Sequence, residues 1–217
     1  MTKIKICGIK TLNDARNAIE AGADYLGFNF YPKSVRFIEK ETCAEITSLL
    51  KKEHPQIKLV GVFVNSPVDE VRAILETCHL DLAQLHGDET PEMLESFNGK
   101  AFKAIRLSAS TSVDESVHPF AKQSVDNPAL LIDAAVKGVY GGSGVTADWS
   151  AAAELAKRYP LLLAGGLTPE NVADAVRQVQ PWGVDVASGV ESEPGKKDAS
   201  KMSAFVKAVK QTIDDGR

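Results

Sequence analysis

The sequence has little of what marks several large classes of protein. It contains only three cysteines, Cys7, Cys43 and Cys78, and their odd number and wide spacing fit neither a disulfide framework nor a metal-ligand pattern. No apolar run approaches the roughly 18 residues of a membrane span. The lysines near the N-terminus alternate with apolar residues and do not form a signal peptide. We therefore expect a cytoplasmic protein with no bound metal and no membrane partner.

The sequence also lacks the clusters of basic residues that bind nucleic acids. The 217 residues include 25 lysines and arginines against 29 aspartates and glutamates, a net charge of −4. The basic residues are scattered, and the densest group, Lys196 and Lys197, is too short to be a basic arm. Because binding to a phosphate backbone needs clustered cations, we expect no nucleic-acid partner.

The sequence does contain a regular succession of short apolar runs. Several are apolar on both faces, as the strands of a covered parallel sheet are. Most gaps between them carry helical signals, and Pro67, Pro91 and Pro169 each follow a serine or threonine, which predicts proline at the first helical position. The gap 106–128 is interrupted by Pro119, so its helix is expected to be short or irregular. The predicted strands are 4–7, 25–30, 59–64, 82–85, 101–105, 130–133, 161–164 and 184–187.

The order of these elements predicts the fold class. Alternating strands and helices with short loops indicate an α/β protein with parallel strands and right-handed crossovers. Eight such units that close on themselves, a single (β/α)8 TIM barrel over residues 1–217, are the most economical arrangement. A doubly wound open sheet is the alternative. The chain has no convincing linker, and barrels of roughly 200–250 residues commonly form one domain.

Functional side chains of such a barrel lie where the strands end, at the C-terminal mouth. One of the predicted strand ends is Asp133, which follows an apolar run, 129–132. A lone buried carboxylate costs several kcal/mol, so it should be paired, protonated or functional. To act as an acid near neutrality, its pKa must rise by about two units from about 3.9. A helix cap or a pair with Lys137 is the structural alternative.

Cys7 lies at the end of the first predicted strand, and Gly8 leaves its side chain uncrowded. Cys43 and Cys78 lie within predicted helices, where a small buried residue is the usual interpretation. A thiol with an ordinary pKa of about 8.5 is only about 3% ionised near pH 7. A catalytic base at Cys7 therefore requires a neighbour that favours the anion, or one that removes the proton as substrate binds.

Glycine-rich turns follow the last three predicted strands: GGSG (141–144), AGGL (164–167) and ASGV (187–190). Such turns let backbone N–H groups approach an anion, and the loops after strands seven and eight are the usual phosphate seat of this fold. Tight turns without a ligand are the structural alternative. The predicted phosphate and substrate contacts are Gly142, Gly165, Gly166, Ser188 and Gly189.

Three further polar residues are candidates for substrate binding. Arg36 follows the second predicted strand, and its fork-shaped guanidinium suits a planar carboxylate; a solvated surface charge is the alternative. His86 either contacts substrate or is a satisfied imidazole at a strand end. Asp185 lies within the eighth predicted strand, so a structural role is also open.

Seven blocks of the sequence, in order and mostly at strand ends, resemble the phosphoribosylanthranilate isomerase family of tryptophan biosynthesis. The likeness runs from the first predicted strand to the last helix. Seven ordered blocks are far more specific than a likeness of fold. They are KICGI (5–9), GADYLGFNFYPKSVR (22–36), VGVFVN (60–65), LDLAQLHGDE (80–89), LLIDAAVKGVYGGSG (130–144), LAGGLTPENV (163–172) and GVDVASGVESEPGKKD (183–198).

The resemblance implies an aldose–ketose isomerase that carries out an Amadori rearrangement without metal or organic cofactor. It implies that Cys7 is the general base and Asp133 the general acid. It further implies that Arg36 holds the anthranilate carboxylate, while backbone amides around Gly165 and Ser188 hold the phosphate. The only expected partner is a small phosphorylated substrate, bound by a monomer or a homodimer.

Two departures and two alternatives qualify the resemblance. The loop reads SVR where the family usually has SPR, which leaves the approach to Arg36 less stiff, and GGSG and VASG replace GGTG and VSSG. The related isomerase of histidine synthesis, and a bifunctional enzyme, use an aspartate as the base on the first strand, which disfavours both here. A silent barrel that only binds a phosphorylated regulator has no need of both Cys7 and Asp133.

Overall fold

The computed structural model describes residues 1–106, 117–121, 127–133 and 149–214. Eight parallel strands follow one another around a closed barrel, and pairing of the first strand with the eighth completes it. The predicted (β/α)8 barrel is confirmed, whereas an open sheet would leave two unpaired edges. The strands are β1 (Lys3–Cys7), β2 (Tyr25–Asn29), β3 (Lys58–Phe63), β4 (Leu82–Leu85), β5 (Ala101–Arg106), β6 (Leu130–Asp133), β7 (Leu161–Ala164) and β8 (Gly183–Val186).

Helices connect the strands. None of those in the described ranges is long and apolar enough to cross a membrane. Most of the gap 106–128, where a short or irregular helix is predicted, lies outside the described residues. The helices are α1 (Leu12–Ala21), α2 (Lys40–Glu53), α3 (Val68–Thr77), α4 (Pro91–Glu95), α5 (Ser150–Ala156), α6 (Val172–Val179) and α7 (Ala199–Asp214).

Apolar side chains form two layers, one between strands and helices and one inside the barrel. Ile4 and Ile6 of β1 belong to the outer layer, and Tyr25 of β2 belongs to the inner one. Successive side chains of a strand point to opposite faces. Lys5 and Cys7, which alternate with the two isoleucines, therefore point into the barrel.

The helix starts agree with the sequence only in part. Thr90 caps α4 by accepting from the Met93 amide at 3.3 Å, and Pro91 occupies the first turn as predicted. Pro67, in contrast, is itself the cap of α3. Pro169 lies in a turn before α6, and the helix begins only at Val172, whose amide donates to the Thr168 carbonyl. A Ser/Thr-Pro pair is compatible with proline in the first turn of a helix and with proline just before the helix, because the residue before proline is extended in either case.

The segment after β8 contains elements that the sequence analysis did not predict. A 3-10 turn, Ser188–Val190, leads into a short antiparallel pair of strands before α7 begins. These strands are β9 (Glu191–Glu193) and β10 (Lys196–Lys197). The hairpin brings the side chains of Glu191 and Lys197 into the buried region beside the barrel mouth.

Candidate active site

A cavity of about 280 Å³ opens where the strands end. Its lining comes from strands and loops spread over most of the chain. Gly189 follows directly in the turn after β8, and Gly142 lies outside the described residues. The predicted site residues that line the cavity are Cys7, Arg36, His86, Asp133, Gly165, Gly166, Asp185 and Ser188.

A second cavity, of about 440 Å³, lies beside the first and shares His86 and Arg106 with it. Lys103 braces its lining: the ammonium group donates to the Gly87 carbonyl at 2.7 Å and pairs with Glu89 at 3.1 Å. The smaller cavity is the candidate site because it holds the thiol, two carboxylates and the glycine turns. Across the described ranges, no group of three or more histidine, cysteine, aspartate or glutamate residues is placed to bind a metal ion.

Cys7 ends β1 and is only 7% exposed. Burial raises the pKa of its thiol and outweighs the ammonium groups of Lys5 and Lys197, which lower it; the Asp185 carboxylate adds to the rise. The thiol is therefore protonated at neutral pH in this structure.

Asp133 ends β6 and faces Arg106, its partner across the β5–β6 pair. Arg106 Nε lies 3.8 Å from Asp133 Oδ2, and the arginine side chain is 64% exposed. A solvated ion pair of this kind contributes about 0–1 kcal/mol to stability. Both residues line the cavity.

Arg36 is held by a carboxylate of its own chain. Its Nε and Nη2 donate to the two oxygens of Glu191, both at 2.7 Å. Glu191 also accepts from Lys197 Nζ at 2.8 Å and from the Gly195 amide at 3.1 Å. A guanidinium has five N–H donors, so its remaining edge can bind a ligand carboxylate while Glu191 fixes its orientation.

His86 has an uncharged imidazole that lies next to Gln84. Burial lowers the pKa of its imidazole and outweighs Asp133 and Asp185, which raise it, so the ring is neutral at pH 7. Gln84 Nε2 lies 3.0 Å from His86 Nδ1. With Gln84 as the donor, Nδ1 accepts, and the proton of the ring lies on Nε2. Within the described part of the chain, the buried Gln84 Oε1 has no hydrogen-bond partner, so it can accept from a ligand in the cavity that Gln84 lines.

The turns after β7 and β8 lie against each other and need glycine. Gly165 and Gly166 adopt φ values of 98° and 65°, which favour a residue without Cβ. A Cβ on Gly166 would meet open space, whereas one on Gly189 would collide with the Leu167 carbonyl oxygen. Both turns thereby present backbone at the cavity, as a phosphate site requires.

Three charged residues beside the site were missed by the sequence analysis: Lys5, Glu191 and Lys197. Lys5 and Lys197 have fully buried side chains, and that of Glu191 is 4% exposed. A lysine flanked by isoleucines in the predicted strand 4–7, which is otherwise apolar, was the available signal for Lys5. The other two lie in a polar stretch that resembles any loop, and Glu191 reaches Arg36 over 155 positions.

Glu191→Gln is expected to lower the free energy of unfolding by about 3 kcal/mol, because it leaves the buried Lys197 and the partly buried Arg36 without their shared carboxylate. KM is expected to rise as well, since Arg36 loses the group that orients it. Urea unfolding and steady-state kinetics measure the two effects. Glu193→Gln, on the same strand in an exposed pair with Lys196, is the matched control and should change stability by less than about 0.5 kcal/mol. Equal losses in both variants would contradict the role of Glu191.

Comparison with known proteins identifies the family of the chain. The family model of N-(5'-phosphoribosyl)anthranilate (PRA) isomerase matches residues 4–208. The chain belongs to the phosphoribosylanthranilate isomerase family. The resemblance predicted from the seven sequence blocks is thus confirmed. N-(5'-phosphoribosyl)anthranilate isomerase of Geotalea uraniireducens is 47% identical over 210 residues, which cover 97% of this chain and 99% of the relative.

Solved structures of phosphoribosylanthranilate isomerases share the fold over nearly the whole chain. The enzyme of Thermotoga maritima superimposes with a TM-score of 0.86 at 38% identity and covers 97% of this chain and 100% of its own. Another, with a TM-score of 0.83 and 36% identity over the same shares, is a complex with reduced 1-(o-carboxyphenylamino)-1-deoxyribulose 5-phosphate. The ligand of that protein is a small phosphorylated molecule with an aromatic carboxylate.

Proposed function

We propose that this chain is the phosphoribosylanthranilate isomerase of tryptophan biosynthesis. It converts N-(5-phospho-β-D-ribosyl)anthranilate to 1-(2-carboxyphenylamino)-1-deoxy-D-ribulose 5-phosphate, an intramolecular oxidoreduction of an aldose to a ketose. The observation that carries the proposal is the meeting of Cys7, Asp133 and the two glycine turns in one cavity. Membership of the family supports the same reaction.

Asp133 and Cys7 divide the proton transfers between them. The Asp133 carboxyl group donates a proton to the furanose ring oxygen, the C1–O bond breaks, and the nitrogen lone pair forms a Schiff base. The Cys7 thiolate then removes the proton from C2, and the C2–H electrons form an enolamine that tautomerises to the ketone. These steps are proton transfers, so the proposal invokes neither a metal nor an organic cofactor.

The remaining residues hold the two ends of the substrate. Backbone amides around Gly165, Gly166, Ser188 and Gly189 bind the phosphate, and Gly142 adds donors from the loop after β6. At the other end, the free edge of Arg36 binds the anthranilate carboxylate. His86 donates from Nε2 to a substrate oxygen. Asp185, in the wall of the cavity, also contacts the substrate. The chain works as a monomer or a homodimer.

The direct test follows the loss of substrate fluorescence with the purified chain. Turnover is expected with N-(5-phosphoribosyl)anthranilate, to the same extent with and without a chelator, and not with the aldose substrate of the histidine-pathway isomerase. No turnover of the anthranilate substrate by folded protein would overturn the proposed function. Turnover of both substrates would replace it with the bifunctional alternative.

Gly166→Asp tests the phosphate site. The added carboxylate would stand in the open space at Gly166 and repel the phosphate, so KM is expected to rise at least about tenfold, or roughly 1.4 kcal/mol of binding energy. Gly99→Asp is the matched control, since Gly99 also has a positive φ and open space but lies at the opposite end of the barrel, before β5. If KM stays the same in both variants, the phosphate binds elsewhere.

A further inference from the structure

The interior of the barrel contains a buried ion pair directly behind Cys7. Lys5 Nζ lies 2.7 Å from Asp185 Oδ1, and the lysine side chain is fully buried. The two residues are direct partners across the β1–β8 pair. Burial alone would lower the pKa of Lys5, but Asp185 and Cys7 outweigh it and raise the pKa above its ordinary value. The ammonium group is therefore charged.

The Lys5 ammonium group shares a small space with the Cys7 sulfur. Both side chains point inward from alternate positions of β1. A Cβ on Gly27, the neighbour of Cys7 on β2, would lie 2.7 Å from Cys7 Sγ and 3.1 Å from Lys5 Nζ. The missing side chain of Gly27 thus leaves room for sulfur and ammonium group to face each other.

The charges around Cys7 come from four elements. Lys5 on β1 and Lys197 on β10 lower the pKa of the thiol, Lys5 more strongly, and Asp185 on β8 raises it. Arg36, in the loop after β2, also interacts with Cys7. Lys197 already donates to Glu191 at 2.8 Å and to the Ala187 carbonyl at 2.9 Å, and Arg36 is bound to Glu191 through two hydrogen bonds.

Lys5 differs from Lys197 and Arg36 in that it uses only one N–H donor on a carboxylate or carbonyl group, whereas each of the other two uses two. An ammonium group has three N–H donors, and Asp185 takes one from Lys5. Another N–H can therefore point at the sulfur. His86, on β4, interacts with both Lys5 and Asp185 but is neutral, so it does not offset the charge. Lys5 is the cation best placed to stabilise a negative sulfur.

We propose that Lys5 is the counter-ion of the Cys7 thiolate, and that Asp185 keeps its ammonium group charged and in place. This inference rests on the proposed function, in which Cys7 is the base. Lys5 acts through Cys7 and does not itself take the substrate proton, so it is a positioning residue. Lys5 is thus a neighbour that favours the thiol anion, although burial of Cys7 still outweighs it in this structure.

The test is a titration of Cys7 that uses no substrate. The ultraviolet absorbance of the thiolate is followed against pH as the difference between each protein and its Cys7→Ser counterpart, which removes the signals of Cys43 and Cys78. In Lys5→Met, the midpoint is expected to move to higher pH by about one unit or more, as for loss of an opposite charge within 4–6 Å. The acidic limb of the kcat/KM profile should move with it, so that kcat/KM below the midpoint falls about tenfold.

Two further variants accompany Lys5→Met, one as a control and one that removes both charges of the ion pair. Lys3→Met, on the same strand in a half-exposed pair with Asp24, is the matched control and should leave the midpoint unchanged. Lys5→Met/Asp185→Asn removes both buried charges, which avoids stranding the carboxylate, and should also move the midpoint upward because Lys5 acts on Cys7 more strongly than Asp185 does.

The outcomes separate this inference from the proposed function. An unchanged midpoint in the folded single or double variant overturns the role of Lys5, even if turnover falls. A midpoint that moves in Lys5→Met and in the double variant, but not in Lys3→Met, supports it. If Cys7→Ser keeps full turnover, the base assignment of the proposed function fails, while the titration still decides whether Lys5 stabilises the thiolate.

Discussion

Cys7→Ser is expected to lower kcat by about 10²–10⁴-fold, the range that a positioned general base contributes, while KM changes little. Serine matches cysteine in shape, but its hydroxyl group does not ionise near neutral pH, so no anion is available to remove the C2 proton. The glycine turns and Arg36, which hold the two ends of the substrate, are untouched. Steady-state kinetics by substrate fluorescence measures both constants.

Cys78→Ser is the matched control for this prediction. Cys78 is buried at the end of α3 and its thiol donates to the Lys40 carbonyl at 3.4 Å, a bond that a serine hydroxyl can also make. Turnover of this variant should stay close to that of the parent protein. Turnover close to normal in Cys7→Ser would show that the base is another group. A large rise in KM would point to a binding role for the thiol.

Asp133→Asn is expected to lower kcat by a similar factor, about 10²–10⁴-fold, again with little change in KM. The amide has nearly the same shape as the carboxyl group but has no acidic proton for the ring oxygen, so opening of the furanose ring becomes limiting. Binding of the product analogue, reduced 1-(o-carboxyphenylamino)-1-deoxyribulose 5-phosphate, should persist. Calorimetric titration with that compound separates loss of chemistry from loss of binding.

Asp24→Asn provides the control for Asp133→Asn. Asp24 also accepts hydrogen bonds next to a strand, from Lys3 Nζ and the Ile4 amide, both at 2.9 Å, but it lies before β2, at the opposite end of the barrel. We expect this variant to lose some stability and to keep its kcat. If Asp133→Asn retains its kcat, the acid is another group.

The strands were predictable because the barrel imposes a simple pattern on them. Residues 130–132 and 161–164 face helices on one side and the barrel interior on the other, so they are apolar throughout. The predicted bounds of both strands, with Asp133 at the end of the first, match β6 and β7. Helix starts were less predictable. At Pro169 the local sequence is compatible with a helix or a turn. The turn is selected by two hydrogen bonds, from the Thr168 amide to Asn171 Oδ1 and from the Glu170 amide to Thr168 Oγ1.

Within the candidate site, the residues that could be predicted from the sequence lie mostly at strand ends and in the loops that follow them. Cys7 and Asp133 each end a predicted strand, so their position at the mouth could be read from the sequence. The partners of these residues could not, because they depend on pairs distant in the chain. Arg36 illustrates this: its residue type predicted a carboxylate partner, and the structure adds Glu191 as one from the chain itself.

The Lys5–Asp185 pair also has a consequence for the order of folding. It joins side chains 180 positions apart, and a buried ammonium group without its carboxylate costs several kcal/mol. During synthesis on the ribosome, β1 emerges before the other seven strands of the barrel and β8 emerges after them. The first strand therefore gains its native surroundings only when the eighth arrives, which makes closure of the barrel a late and cooperative event. A nascent chain that ends before β8 should accordingly remain open to proteases at its N-terminus.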